Sequence, residues 1–251
     1  MLTAASIAAA VNFGAAQVNV YNRVKCSIIV TGNELLDVSA NPDPWQIRDS
    51  NGPTVAAMID GQAWLQVAQR TRCGDDRDEL KAKLACAIDA SDVVILTGGV
   101  SKGDYDHVPD VIASLGGEIL FHRLPIRPGQ PVLAAVTASG KLLLGLPGNP
   151  VSTACCMQRI GMPLLRRIGG HKNWRCWPTH VKVENADNKT LPLTWMRLVQ
   201  SIGYDPDSGA DLVRYVPSQG SGDLVALGTS DGFVELPPGS SGNGPWAFYR
   251  W

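Results

Sequence analysis

Between residues 24 and 168 the chain repeats one unit: a short β-branched run, a glycine-bearing turn, then a stretch with helical spacing. A strand followed by a helix has to cross back over its own sheet. The right-handed crossover then sets parallel strands side by side with helices on both faces. The runs fall at 24–31, 64–71, 92–96, 118–124, 132–136 and 142–146, and the helical stretches at 53–61, 76–90, 108–115 and from 150 to 168. The expectation is an α/β domain over 1–170 with a mostly parallel sheet, the later strands being open to antiparallel pairing.

The pattern changes at Gly169-Gly170. Beyond it the segments are short, turns are frequent and no helical period is sustained. Trp174, Trp177, Trp195, Trp246 and Trp251 supply large side chains for a second core. Residues 171–251 are therefore expected to form a small all-β domain.

The runs end in a common punctuation: Gly32-Asn33-Glu34, Gly74-Asp75, Gly98-Gly99 through Asp106, and Pro147-Gly148-Asn149. If the strands are parallel, these ends share one edge, the carboxyl edge where open α/β sheets take their ligands. Glu34, Asp75, Asp104 and Asp106 would meet glycine backbones and helix starts there. Unpaired N–H groups at such turns suit phosphate. Carboxylates beside phosphate suit Mg²⁺, which takes one or two acidic side chains plus substrate oxygens. The expected ligand is thus phosphorylated and metal-bridged.

Each of these residues also has a local reading. Asp75 and Asp106 serve equally as caps of the helices that follow, Ser50 or Asn51 as the cap of another, and Gly148 to Ser152 as a helix start. Glu34 and Lys102 can be surface charges. Arg127 stands in a loop with three prolines, 125–131, which holds a cation at low entropy cost. There is no GxxxxGK[ST] and no GxGxxG, and no Ser/His/Asp or Cys/His arrangement can be argued. Metal-assisted attack on a phosphoanhydride fits better than a side-chain nucleophile.

Composition closes other routes. At 45% hydrophobic and 18% charged residues the chain is an ordinary globular one, and a net charge of −1 gives no footprint for nucleic acid. No apolar run approaches the roughly 20 residues that cross a bilayer. The Ala-rich stretch 2–16 lacks a basic leader, the first cation being Arg23, and reads as a packing helix. Six cysteines without a CxxC pair point to a reduced, cytoplasmic protein.

Five motifs in order carry a family resemblance: TGNELLD (31–37), IRDSN (47–51), TGGVSKGDYD (97–106), IRPGQP (126–131) and LPGNPVS (146–152). Together they resemble the molybdopterin molybdenumtransferases of the MoeA and gephyrin E-domain type. The resemblance implies a molybdopterin-binding α/β domain followed by a small β-barrel. It also implies Mg²⁺-dependent insertion of molybdate into adenylylated molybdopterin, with release of AMP, by a homodimer among other cofactor-biosynthesis proteins. Under it Glu34, Asp75 and Asp106 are the catalytic and metal-binding acids. The substrate would meet Thr31, Gly32, Asn51, Gly98, Gly99, Ser101, Lys102, Arg127, Gln130, Pro147, Gly148, Asn149, Pro150 and Ser152, with Arg197 and Ser221 reaching in from the tail. The family loop usually has lysine where this chain has Arg127 and Gln130, and an apolar residue where it has Lys102. The chain also begins where the family's third domain begins. A non-catalytic molybdopterin carrier is the alternative. A nucleotide pyrophosphatase resembling the competence-damage proteins and an assembly scaffold are weaker readings.

Overall fold

The computed structural model describes residues 2–101, 106–175, 177–206 and 208–251; Lys102 and Asp104 lie outside the described residues. In chain order the first elements are α1 (Ala4–Asn12), β1 (Val24–Thr31), β2 (Leu35–Leu36), β3 (Ile47–Arg48), α2 (Asn51–Asp60) and β4 (Leu65–Cys73). Then come α3 (Arg77–Ala90), β5 (Val93–Thr97), α4 (Val108–Ser114), β6 (Glu118–His122), β7 (Ile126–Arg127), β8 (Leu133–Val136), β9 (Leu142–Leu146) and α5 (Pro150–Cys156). A π-turn (Met157–Gly161) leads into α6 (Met162–Ile168), followed by β10 (Thr179–Val183), β11 (Thr194–Tyr204), β12 (Asp211–Tyr215), α7 (Leu224–Thr229), β13 (Gly232–Leu236) and β14 (Trp246–Arg250).

The first sheet runs β4-β1-β5-β9-β8-β6. Its first four strands are parallel, and β8 runs antiparallel to both its neighbours, β9 and β6. Strand alternation divides the core between two faces. Ile28, Val30, Val93 and Ile95 face α2 and α6 through Val55, Ile59, Met162 and Leu165. Ile29, Val94 and Leu96 face α3 and α4 through Leu80, Leu84, Val111 and Ile112. With both faces covered, β5 and β9 are buried along their whole length, which is why each reads as an unbroken apolar run.

The second sheet runs β12-β10-β14-β13-β11, and an added β12–β11 pairing closes it into a five-stranded barrel. Strand β7 attaches to its outside, pairing Ile126 with Thr194 and Arg127 with Trp195. The proline-braced loop is thus a sixth strand of the barrel sheet as well as a connector within the first. Helix α5 sits where the two cores approach each other: Cys155 packs with Met196, Leu198 and Phe233, while adjacent Cys156 packs under the first sheet. At the π-turn, Met162 N–H bonds to Met157 O, one residue further than in an α-helix. Pro163 follows and cannot donate to Arg159 O, which favours that widening. Arg159 reaches across to Glu235 on β13 at 2.5 Å.

Several local expectations change. Helix α1 forms, with Thr3 and Ser6 in a capping box, but none of its residues is buried, so it is not a packing helix among the described residues. Asp76 rather than Asp75 caps α3, accepting from Glu79 N at 2.7 Å. The residue one position further on has the extended backbone that a cap requires. His107, not Asp106, is at the start of α4, without a side-chain cap bond. Ser50 starts α2 without one too; Asp49 bonds Gly52 N instead, at 2.8 Å. The tail holds one short helix, α7, capped by Asp223, despite showing no helical period.

Candidate functional site

Four parallel strand ends lie side by side in the order β4, β1, β5, β9, and the turns after them carry Asp75, Glu34, Gly98-Gly99 and Gly148-Asn149. They meet at backbone distance. A methyl group on Gly98, whose φ is +86°, would stand 2.7 Å from both Thr31 O and Thr31 Oγ1. One on Gly148 would stand 3.6 Å from Gly98 Cα. Only glycine allows this approach and this backbone angle together.

The β1 and β4 ends are tied to each other. Asn33 N–H donates to Asp75 Oδ2 at 3.2 Å, and Asp75 N–H donates to Asn33 Oδ1 at 3.1 Å. Glu34 folds back on its own turn, since a methyl on Gly32 would come within 2.4 and 2.7 Å of its carboxylate oxygens. Asn51, at the start of α2, donates from Nδ2 to Gly148 O at 2.6 Å. Among the described residues its Oδ1 is buried without a hydrogen-bond partner, as is Thr97 Oγ1 at the end of β5. Buried acceptors of this kind are costly unless something satisfies them.

Beside this edge a cleft of about 1330 Å³ opens between the first sheet's turns and the barrel. Ser101, Arg127, Gln130, Pro147, Gly148, Asn149, Ser152, Arg197 and Ser221 are among its lining. Asn149 Nδ2 donates to Ser221 Oγ at 2.7 Å, and Val151 N–H donates to Ser221 O at 3.1 Å, so the start of α5 holds the 217–222 loop. Asn149 therefore does not cap its helix with its side chain. Asn149→Ala is expected to cost about 1 kcal/mol, a fall of a few degrees in the melting midpoint, with faster amide exchange confined to 217–222.

Arg197 is a fixed group. Its guanidinium makes a bidentate pair with Asp187 at 2.8 and 2.9 Å, and lies 4.4 Å from the Trp195 ring and 3.4 Å from the Tyr215 ring. Trp195 and Arg197 are two apart on β11 and so share a face. The Arg197 hydrogen bonds hold the Asp187 carboxyl below the usual carboxylate range, and burial pushes the Tyr215 hydroxyl up.

The fold thus gathers the expected residues into two groups. Glu34, Asp75, Asn51, Thr31, Gly32, Gly98 and Gly99 belong to the strand-end rim, and none of them lines the cleft. Pro147, Gly148 and Asn149, followed by Pro150 at the start of α5, join rim to cleft. Asp106 is half-buried just before α4. Among the described residues no group of three His, Cys, Asp or Glu side chains stands together to hold an ion. Sequence reasoning missed Asp187, Lys189, Trp195 and Tyr215, all of which line the cleft.

A family described as a probable molybdopterin binding domain matches residues 27–167. The chain belongs to the molybdopterin-binding domain family. Within it the relatives are MoeA-type proteins. A molybdopterin molybdenumtransferase from Staphylococcus epidermidis is 32% identical over 240 residues, covering 94% of this chain and 55% of its own length. One from a Nostoc species is 33% identical over 250 residues, covering 96% and 55%. A solved structure of a molybdopterin biosynthesis MoeA protein from Pyrococcus horikoshii superimposes with a TM-score of 0.77 at 27% identity, covering 99% of this chain and 60% of that one. The chain spans about 55% of the length of the curated relatives it matches. The family match covers the strand-end rim, and the MoeA-type likeness extends it across the barrel wall. No helix among the described residues is long and apolar enough to cross a membrane.

Proposed function

We propose that this chain is the substrate-holding part of a molybdopterin molybdenumtransferase, joining molybdate to adenylylated molybdopterin with release of AMP. The observation that carries the reading is the joining of the four-strand rim to the cleft through Gly148 and Asn149. The rim offers glycine turns and carboxylates to a pyrophosphate, and the cleft offers cations and hydroxyls to an oxyanion. At about 1330 Å³ the cleft exceeds the roughly 300–1,000 Å³ of ordinary ligand pockets.

The donor set fits a Mg²⁺ that arrives with substrate rather than a resident ion. Glu34, Asp75 and Asp106 would each lend a carboxylate, one or two of them at a time, with phosphate oxygens completing the shell. When bound, the ion would neutralise charge building on the phosphoanhydride. The chain's own residues do the rest: Asn33 fixes Asp75, Asn51 fixes the Gly148 turn, and Arg127 and Ser101 meet the oxyanion. Arg197 presents an aromatic-backed wall to it. A homodimer in the cytoplasm is part of this proposal, tested by sedimentation of the purified chain.

The deciding experiment supplies adenylylated molybdopterin, molybdate and Mg²⁺ and measures AMP. Failure to bind or turn over would reject the reading. Asp106→Asn is expected to keep the fold and cut AMP release on the order of a hundredfold, since it removes charge from a metal-facing group but little volume. Unchanged turnover would remove Asp106 from the site. Gln130, which leaves the 125–131 loop with Arg127 as its one cation, favours a second reading, a carrier that binds molybdopterin without chemistry. Tight binding with no AMP release would select it.

A further inference from the structure

The cleft holds four charged residues among its described lining: Arg127, Asp187, Lys189 and Arg197. Asp187 and Arg197 neutralise each other through the bidentate pair. Arg127 and Lys189 are exposed and make no salt bridge among the described residues. The described lining of the cleft therefore carries a net charge of two positives, with Arg127 on β7 and Lys189 two residues beyond Asp187. A site with that charge suits a dianion better than a neutral or singly charged group.

The two cations are connected through the ion pair. Arg127 on β7 pairs in the sheet with Trp195, and the Trp195 ring supports Arg197 at 4.4 Å. Arg197 grips Asp187, and Asp187 Oδ1 in turn accepts from Lys189 N–H at 3.2 Å. The Asp187–Arg197 pair thus anchors the backbone from which Lys189 projects. Without that anchor the Lys189 loop would have more freedom to lose on meeting a ligand.

We propose that Lys189 is the second cation of an oxyanion clamp, closing on a tetrahedral dianion from the turn after Asp187 while Arg127 holds it from β7. This rests on the function proposed above and deepens it by assigning the oxyanion's charge partner. It also places the partner at Lys189 rather than at Gln130, where the loop itself has no charge to give.

The test titrates molybdate, with sulfate as a second tetrahedral dianion, into the full chain by calorimetry at two salt concentrations. Lys189→Gln is expected to weaken molybdate binding about tenfold and to flatten its salt dependence, with an unchanged melting midpoint. Lys189→Arg should stay within about threefold of wild type, and Lys172→Gln, an exposed cation outside the cleft, should match it. Arg127→Gln combined with Lys189→Gln should show coupling, because both side chains grip one ion. Equal binding by wild type and Lys189→Gln would overturn the clamp, as would a wild-type chain that takes up neither anion. A Lys189-dependent molybdate signal without AMP release in the assay above would keep the clamp and reject the transferase.

Discussion

Gly98→Ala is expected to lower the melting midpoint by about 5–15 °C and to abolish the ligand binding proposed for the rim. The added methyl meets the Thr31 carbonyl oxygen and hydroxyl, both at 2.7 Å, and neither can swing away, because Thr31 closes the buried strand β1. A left-handed backbone costs an alanine about 1–2 kcal/mol, and overpacking against fixed atoms adds about 1–3 kcal/mol. For a chain of this size each kcal/mol is worth about 2–4 °C. The loss is a loss of function as well as stability, since relief requires the β1 and β5 ends to part. Thermal unfolding reads the first effect and calorimetric binding the second. Gly116→Ala is the matched comparison: its φ is also positive, +76°, but an added methyl meets nothing within 4 Å. If the two variants melt together, the close packing of the rim is not what holds it.

Arg197→Ala is the other change of large effect, expected to cost about 2–3 kcal/mol. Breaking a buried ion pair typically costs about 3–5 kcal/mol, and partial solvent access at Asp187 reduces that here. The aromatic stack on Trp195 and Tyr215 goes with it. Acid titration separates the electrostatic part. Because Arg197 depresses the folded Asp187 pKa, the unfolded chain binds the proton first as pH falls. Asp187 therefore contributes its stability above the ordinary aspartate range, and that contribution drains as pH falls from there through the depressed folded value. In Arg197→Ala the acid limb of the stability curve should be shallower. A limb as steep as in wild type would show that the pair does not set Asp187 ionisation. Arg197→Lys should recover only part of the loss, since an ammonium cannot make the bidentate pair or stack as a plane.

The layout of the first sheet was legible because its signals are local: strand runs of five to nine residues, glycine turns and helix starts, each readable within a dozen positions. Parallel neighbours then followed from crossover handedness, and with them the sharing of one edge by Glu34, Asp75, Gly98 and Gly148. What could not be read was side-chain pairing between distant segments. Nothing near Asp187 announces Arg197, ten positions on, and nothing near Asn149 announces Ser221. Cap assignment missed by one residue at Asp75 because two aspartates stand together and only backbone angle chooses between them. Helix α1 was read as packed because Ala, Ile and Val usually mean burial, yet Ile7 and Val11 are 51% and 67% exposed. Closure of the tail into a barrel was expected from the motif resemblance alone, since the β12–β11 contact joins strands whose own sequences carry no mark of it.

Strand β7 is only two residues long, yet it decides what counts as a separable piece of this chain. Ile126 and Arg127 are laid down with the first sheet and hydrogen-bonded into the barrel. A protease nick or an engineered break at Gly169-Gly170 would therefore sever the covalent thread while leaving a splint in place. Fragments made there would be expected to cling together, each exposing a raw margin if forced apart.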